Sequence, residues 1–365
     1  MKRKTKTILI ITGIVLLVLI GLTFFILSPW TNFKDCLYDE NGEKIEGSIS
    51  EKIFLDINNT KLGMIIKAES VDKPVLLFLS GGPGIPEYLL EYMYPSGLEK
   101  DFIVCYLEYR GTSLSYSSDV SPETMTTEQY LSDVNEVTEY LKDRFDREKV
   151  YLMAHSFGTY MGIKTASLHP ENYYAYIAMS QITDEYKSET IAFDYMLEEY
   201  KKAGNTSMVN ALENCRLTES QEKYDRYFRL YRDKAMHELG VGTCRDMNSV
   251  ITKIFFPSLR CTAYTPAERI NIWIGKNFAF NTQIQADVLS YNSFEDITEI
   301  AIPVYFFGGL YDYTCCYSLQ KEYFAVLSAP EKEFYTFENS AHSPLFEEPE
   351  KAREILAQIV EKTMA

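Results

Sequence analysis

A serine and a histidine are the residues of this chain best suited to nucleophilic catalysis. Ser156 lies between an apolar run and a helical pattern, with Ala154 and Gly158 two residues to either side. Small residues at both flanks permit the tight strand-to-helix turn that exposes a serine hydroxyl. The alternative is a chance string at an ordinary strand–helix junction. The pattern makes Ser156 a candidate nucleophile, provided that the chain also supplies a base.

The chain contains four histidines, and their positions leave one candidate for this base. His155 adjoins the serine, so a sharp turn directs its side chain away from Ser156. His169 ends the helical pattern that follows, where capping explains it, and His237 lies in a helical insertion. His342 remains, on a loop between the last predicted strand and the last predicted helix. We therefore predict His342 as the general base.

A third residue has to orient the imidazole and stabilise its cation. Asp312 lies just past the end of an apolar strand, where ligands gather in parallel sheets. It gives the chain order Ser, Asp, His, which is one of the known orders of this constellation. Glu338 and Asp296 are the weaker alternatives for this position.

Two backbone N–H groups are needed to stabilise an oxyanion. Phe157, directly after the candidate nucleophile, supplies one, and we predict Gly82 for the other. Gly82 belongs to a Gly-Gly-Pro-Gly string after the apolar run Val75–Leu79, where glycine lets the backbone approach a substrate closely. This chemistry needs no cofactor, and no Cys/His spacing indicates zinc.

Apolar runs and helical patterns alternate along most of the chain, which is typical of an α/β fold with a mostly parallel sheet. Short, wholly apolar runs are typical of strands that are buried on both faces. The predicted strands are Ile53–Ile57, Leu62–Ala68, Val75–Leu79, Phe102–Leu107, Val150–Met153, Tyr174–Met179, Ile302–Phe307 and Glu333–Phe337. The alternation lapses at 183–299, where we predict an inserted helical cap between two parts of the core, 31–182 and 300–365.

The first thirty residues form a separate region. Four basic residues precede an uncharged run from Thr7 to Leu27, which is long enough to cross a bilayer as a helix. A cleaved signal peptide is the alternative, but its apolar part is usually shorter and ends at small residues. We predict a basic cytoplasmic tail and a single transmembrane anchor at 1–30, with residues 7–27 in the lipid. The positive-inside bias then predicts an extracellular catalytic domain at the cell membrane.

Charge and cysteine content restrict the partners and the covalent cross-links. Residues 31–365 contain 32 lysines and arginines against 52 aspartates and glutamates, a surface that repels nucleic acid. We therefore expect no nucleic acid as a partner. The seven cysteines are an odd number, so at least one thiol stays free unless chains cross-link. A disulfide among Cys215, Cys244 and Cys261 remains open.

Taken in order, these motifs resemble those of the α/β-hydrolase superfamily, over roughly residues 60–182 and 300–350. Within it the chain is similar to the proline iminopeptidase-like branch of serine peptidases. Residues 80–84, Ser-Gly-Gly-Pro-Gly, are similar to the His-Gly-Gly-Pro-Gly of that branch, and residues 109–113, Tyr-Arg-Gly-Thr-Ser, to its Asp-Gln-Arg-Gly-x-Gly-x-Ser. The departures are Ser80 for His, Glu108-Tyr109 for Asp-Gln, and Ala154 for the first glycine around the nucleophile.

The resemblance implies a serine hydrolase that removes N-terminal residues from small peptides. It also implies cap carboxylates that bind the free α-amino group of a substrate, and Glu198 and Glu199 are candidates by residue type alone. A solvent-exposed helix pair is the alternative for these two. Two other functions stay open, namely an ester hydrolase with an aromatic-rich acyl pocket and a catalytically silent surface-binding module.

Overall fold

The computed structural model of the protein describes residues 2–27, 32–217 and 220–364. Its centre is an eight-stranded sheet with the strand order β1-β2-β4-β3-β5-β6-β7-β8. The strands are β1 Ile49–Ile57, β2 Thr60–Ala68, β3 Val75–Leu79, β4 Ile103–Leu107, β5 Val150–His155, β6 Tyr173–Met179, β7 Val304–Gly309 and β8 Lys332–Phe337. All eight predicted strands are present, with ends that shift by a few residues, and the mostly parallel α/β architecture is confirmed.

The antiparallel part of the sheet is confined to one edge. β1 pairs with β2 and β2 with β4 in antiparallel fashion, whereas the remaining neighbours are parallel. The hairpin between β1 and β2 turns at Asn58 and Asn59, which have φ angles of 47° and 60°. Asparagine tolerates this left-handed conformation better than most residues, which explains the turn at this site.

Every residue of β3, β4 and β5 is buried, as the wholly apolar runs predict. Alternate residues enter different clusters because side chains of a strand point to opposite faces. Leu77 and Leu152 belong to one hydrophobic cluster, and Phe78 and Met153 belong to the other. The sheet therefore separates two apolar layers, which helices cover.

Helices precede the sheet, flank it and fill the interval between β6 and β7. They are α1 Lys2–Leu27, α2 Glu87–Met93, α3 Thr127–Phe145, α4 Phe157–Leu168, α5 Glu185–Lys202, α6 Thr206–Glu213, α7 Gln221–Tyr227, α8 Asp233–Glu238, α9 Phe256–Ser258, α10 Pro266–Phe280, α11 Gln283–Leu289, α12 Ser293–Asp296, α13 Tyr317–Val326, α14 Pro344–Glu347 and α15 Pro349–Met364. Helices α5 to α12 occupy the stretch for which the sequence predicts a cap. A third hydrophobic cluster joins α5 to α8. The exact domain boundaries stay predictions.

The strand order creates a crevice at the carboxyl ends of β3 and β5. The chain leaves β3 towards β4 on one side, and it leaves β5 towards β6 on the other. Adjacent parallel strands whose connections diverge in this way form the switch point at which α/β sheets bind ligands. The glycine loop follows β3 and Ser156 follows β5, so both reach this crevice.

The N-terminal helix α1 stands outside the hydrophobic clusters. Its segment Lys4–Phe25 is, among the residues that the structure describes, the one helix long and apolar enough to cross a membrane. Its apolar side chains from Ile8 to Phe24 are exposed. An anchor and a signal sequence share these properties, so the retained anchor stays a prediction.

All seven cysteines lie in described parts of the chain, and each is a buried free thiol. The disulfide considered among Cys215, Cys244 and Cys261 is therefore not formed. Burial raises the pKa of Cys105, Cys244 and Cys261, which keeps these thiols protonated and packed as small apolar groups.

Candidate active site

Ser156 occupies the sharp turn between β5 and α4. Its φ and ψ angles are 54° and −123°, a strained conformation for a residue with a side chain. A Cβ atom at Gly158 would lie 2.2 Å from the carbonyl oxygen of Leu79, so the turn requires glycine there. The strand, the turn and the helix are thus arranged as the sequence pattern predicts.

Ala154, which departs from the usual glycine, is accommodated by a glycine elsewhere. A Cβ atom built at Gly162 would lie 2.9 Å from the Cβ of Ala154. The missing side chain on α4 therefore leaves room for the extra methyl group on β5. The departure at position 154 changes the packing beside Ser156 but leaves the turn intact.

His342 and Asp312 form a buried pair across two loops. The Nδ1 atom of His342 lies 3.0 Å from Oδ2 and 3.1 Å from Oδ1 of Asp312. The backbone N–H groups of Thr314 and Cys315 donate to Oδ1, and the side-chain amide of Gln320 donates to Oδ2. These three donors fix the carboxylate and keep it facing the imidazole.

The loop that carries His342 is held on both sides by Glu347. The N–H groups of Ala341 and Ser343 donate to Oε1 of Glu347 at 2.9 and 3.3 Å. Burial lowers the pKa of His342, although the carboxylate of Asp312 acts in the opposite direction. At neutral pH the imidazole is therefore uncharged and able to accept a proton.

The glycine loop after β3 lies against Ser156. A Cβ atom at Gly81 would come within 3.3 Å of the Cβ of Ser156, and Gly82 has a φ of 122° that favours glycine. Gly82, Ser156 and His342 line one cavity of about 180 Å³. Phe157 begins α4, and the first N–H groups of a helix have no partner within it. The predicted nucleophile, the predicted base and Gly82 thus meet at one cavity, and Phe157 lines a second cavity at Ser156.

A second buried histidine links the two loops of this site. The Nδ1 atom of His155 lies 2.9 Å from Oε1 of Glu87, and its Nε2 lies 2.9 Å from the carbonyl oxygen of His342. Burial alone would lower the pKa of His155, but the Glu87 carboxylate outweighs it and raises that pKa. The other oxygen of Glu87 accepts the N–H of Gly81 at 3.3 Å. The pair therefore ties the glycine loop to the backbone of His342.

We expect Glu87→Ala to lower the free energy of unfolding by about 1–3 kcal/mol, because it leaves buried Nδ1 of His155 and the N–H of Gly81 without their hydrogen-bond partner. Denaturant unfolding followed by circular dichroism measures this change. Glu338→Ala is the control, since Glu338 is exposed and its ion pair with Lys351 contributes little. A loss for Glu87→Ala no larger than that for Glu338→Ala would contradict the buried ion pair.

A larger cavity of about 480 Å³ extends from Ser156 into the helical insertion. Glu185, in the first turn of α5, lines it together with Ser156. Its Oε1 is buried and, among the described residues, has no hydrogen-bond partner. Burial raises the pKa of Glu185 to about 8, although the nearby cation of Arg232 acts in the opposite direction. A buried carboxylate oxygen without a donor is a site for a cationic or hydrogen-bonding ligand.

Glu198 and Glu199, the substrate-binding candidates chosen by residue type, do not reach this cavity. Both pair with Lys202, at 2.8 and 3.0 Å. Residues three and four positions apart on a helix face each other, so these ion pairs form along the outer face of α5. Neither lines the cavity at Ser156, whereas Glu185, at the other end of the same helix, does.

Sequence reasoning missed Glu185, although a signal for it exists. Glu185 follows the carboxyl end of β6 by six residues, just after the helix-capping Asp184, whose side chain accepts the N–H of Lys187. Residues directly beyond parallel strands are the usual source of site side chains. Cys315, which lines the same cavity as Ser156, was also missed as a neighbour of the nucleophile.

Comparisons with known proteins agree with this architecture. The profile of a family described as alpha/beta hydrolase fold matches residues 74–349. A protein named "Probable aminopeptidase YbaC", from Bacillus subtilis, is 31% identical over 297 residues, which cover 81% of this chain and 91% of that protein.

Two solved structures share the fold at low sequence identity. Proline iminopeptidase from Mycobacterium smegmatis superimposes with a TM-score of 0.64 at 13% identity, over 86% of this chain and 98% of that one. A proline iminopeptidase-related protein from Thermus thermophilus has a TM-score of 0.57 at 18% identity, over 86% and 97%.

Proposed function

The chain belongs to the α/β-hydrolase family, and on this premise we propose that it is a serine hydrolase that removes N-terminal residues from small peptides. The observation that carries the proposal is the contact of His342 with both oxygens of buried Asp312, at the cavity that Ser156 and Gly82 line. A relative named as a probable aminopeptidase supports the same class of substrate.

In the proposed mechanism Ser156 Oγ attacks the carbonyl carbon of the substrate while Nε2 of His342 takes the hydroxyl proton. The N–H groups of Phe157 and Gly82 stabilise the oxyanion, helped by the N-terminus of α4. His342 then donates its proton to the leaving amine, which breaks the peptide bond and leaves an ester on Ser156. Water, deprotonated by His342, hydrolyses this ester and restores the serine.

Glu185 is the group proposed to recognise the substrate's α-amino end. Its buried Oε1 has unused accepting capacity, and it lines the same cavity as Ser156. An ammonium group that enters would donate to this oxygen and favour the ionised carboxylate. The cation of Arg232 repels an incoming ammonium group only weakly, because its charge is already paired with Glu189 at 2.7 Å and with Asp233 at 3.1 Å.

The remaining charges of the cavity suit a short peptide. Exposed Arg229 and half-buried Lys276 line it as well. A substrate with its amino group at Glu185 would therefore find cations for its carboxylate end in the same cavity. This distribution supports peptides over single amino-acid derivatives.

An ester hydrolase is the second candidate, and a specific feature of the cavity favours it. Apolar side chains form much of its wall, namely those of Phe157, Ile182, Phe228, Phe280, Val288 and Leu289. Such a wall accommodates an acyl chain as well as a peptide side chain. The two candidate functions share the catalytic mechanism. They differ in whether a free amino group on the substrate raises kcat/KM.

Matched fluorogenic substrates decide between them. The panel contains an aminoacyl amide, the same amide with its amino group acetylated, and short acyl esters. We expect the free-amine substrate to have the highest kcat/KM, because only it places a cation at Glu185. Preference for the acyl esters would establish the ester hydrolase instead, preference for the acetylated amide would contradict recognition of a free amino group, and turnover of none of them would contradict both candidates.

We expect Glu185→Gln to raise KM for the aminoacyl amide about 10- to 150-fold, the equivalent of about 1.5–3 kcal/mol for a hydrogen bond to a charged group. The acetylated amide and the esters should be affected far less. Glu198→Gln on the exposed side of α5 is the matched control and should leave all rates unchanged. Equal effects of Glu185→Gln on free and acetylated substrates would contradict amine recognition.

The pH dependence should differ between substrate types. For an acyl ester, kcat/KM should rise with pH through a pKa below the ordinary histidine value of 6.5 and then stay level, because the free-enzyme pKa of His342 is lowered. For the aminoacyl amide, kcat/KM should continue to rise at higher pH, since the pKa of Glu185 is about 8. It should fall again as the substrate's ammonium group, with a pKa of about 8, loses its proton. Profiles of the same shape for both substrates would contradict this assignment.

We further propose that α1 anchors the protein in a membrane. Support comes from its length, its exposed apolar side chains and its basic start. An alkaline carbonate wash of vesicles that contain the full chain tests this proposal, because a spanning helix resists extraction and a peripheral protein does not.

A further inference from the structure

The carboxyl end of α1 rests on one defined segment of the helical insertion. The ring of Phe25 packs edge-on against Phe256, with 6.1 Å between centroids. The guanidinium group of Arg260 lies 4.7 Å from the centre of the Phe25 ring. The end of the apolar helix therefore contacts the segment 256–260.

The chain rejoins the body at the same segment. The N–H of Asn32 donates to the carbonyl oxygen of Thr262 at 3.0 Å. Phe25 and Asn32, which lie on either side of the proposed membrane boundary, thus both contact residues 256–262. If α1 spans a bilayer, these two contacts hold residues 256–262 at the water–lipid interface.

Exposed apolar side chains surround this contact. We call Ile251, Phe256, Ile270 and Ile274 the cap apolar face; these side chains are 63%, 40%, 45% and 43% exposed. Phe255 connects the part of this face around Phe256 with the part on α10. Its ring contacts the ring of Phe256, and its centroid lies 5.0 Å from that of Trp273 on α10. Ile270 and Ile274 are one helical turn apart on α10 and so share a side of that helix. Large apolar side chains clustered in this way mark an interaction surface.

The charge of this region is opposite to that of the whole chain. Residues 247–267 contain no aspartate or glutamate, in a chain that has 52 of them, but include Lys253 and Arg260. Basic side chains beside an apolar surface suit phosphate headgroups and anionic lipids, whereas the acidic remainder of the protein repels them.

We propose that the cap apolar face rests in the interface of the bilayer that α1 spans, with Lys253 and Arg260 at the level of the phosphates. This inference depends on the proposed membrane anchor. It deepens the proposed function, because α10 also lines the catalytic cavity through Trp273, Lys276 and Asn277. Peptides with apolar side chains, which adsorb to the same interface, are thereby brought next to the cavity.

Nitroxide quenching in vesicles of the full chain tests the proposal. Single cysteines at Ile251 or Ile274 are labelled with an environment-sensitive fluorophore, and the vesicles contain phosphatidylglycerol with a nitroxide near the top of an acyl chain. Val326→Cys is the control, because Val326 is 58% exposed on α13, a helix that packs beside β7 and α12. The wild-type chain gives the background, since its seven thiols are buried.

We expect labels at 251 and 274 to lose most of their fluorescence to the nitroxide and the label at 326 to lose almost none. An apolar face seated in an interface lies about 5–10 Å deep, within reach of that quencher. Equal, weak quenching at all three positions in chains that resist an alkaline wash would overturn the lipid contact and leave the anchor intact. Release of the chain by the wash would overturn the anchor and this proposal together, while peptidase activity would stand unaffected.

Discussion

Ser156→Ala is expected to lower kcat about 10⁶-fold and to abolish labelling by a fluorophosphonate probe. Removal of the nucleophile from a serine–histidine–acid unit costs about this much, and the remaining rate comes from the oxyanion donors and substrate binding. The side chain of Ser156 supplies the attacking oxygen, so the loss should appear in kcat and leave KM close to that of the wild type. Burst kinetics of the full chain measures the fall in kcat, and gel fluorescence measures the loss of probe labelling.

The control for this prediction is another serine that is more accessible to a probe than half-buried Ser156. Ser118 is exposed on the loop before α3 and belongs to neither cavity at Ser156. Ser118→Ala should keep both labelling and turnover. Labelling that survives in Ser156→Ala, or its absence in folded wild type, would remove Ser156 as the nucleophile. The second outcome would leave a silent binding module as the better description.

The region around Ser156 could be predicted because its determinants are local. A buried strand, a turn and a helix in immediate succession fix where the hydroxyl points, and Gly158 is required by a contact within the same unit. The central strands are similarly evident, since strands buried on both faces are wholly apolar. Edge strand β1 begins four residues before the predicted start, because Ser50, Glu51 and Lys52 are polar residues that an edge strand tolerates.

The residues of the insertion could not be predicted in the same way. Which carboxylate of α5 meets the cavity depends on how that helix packs against the sheet, and in the sequence only the position of Glu185 shortly after β6 indicates it. The pairing of His155 with Glu87 joins positions 68 residues apart. The sequence indicates that His155 turns away from Ser156, and the geometry agrees, but its partner follows from the tertiary fold alone.

Asp312→Asn is expected to lower kcat about 10⁴-fold with little change in KM. The N–H groups of Thr314 and Cys315 donate to Oδ1, so the asparagine oxygen will take that place. Its amide group then faces Nδ1 of His342 and forces the proton of the imidazole onto Nε2. In this tautomer the ring cannot accept the proton of Ser156.

Nuclear magnetic resonance of the histidine side chains checks the cause, because the two neutral tautomers of His342 have different nitrogen shifts. The kinetic defect should shrink at high pH, where hydroxide takes over part of the base's role. Glu338→Gln is the control, since Glu338 is the rival acid that lies exposed and paired with Lys351. A large loss in Glu338→Gln, together with near-normal turnover in Asp312→Asn, would exchange the two assignments. Full activity in both would show that His342 needs no carboxylate partner.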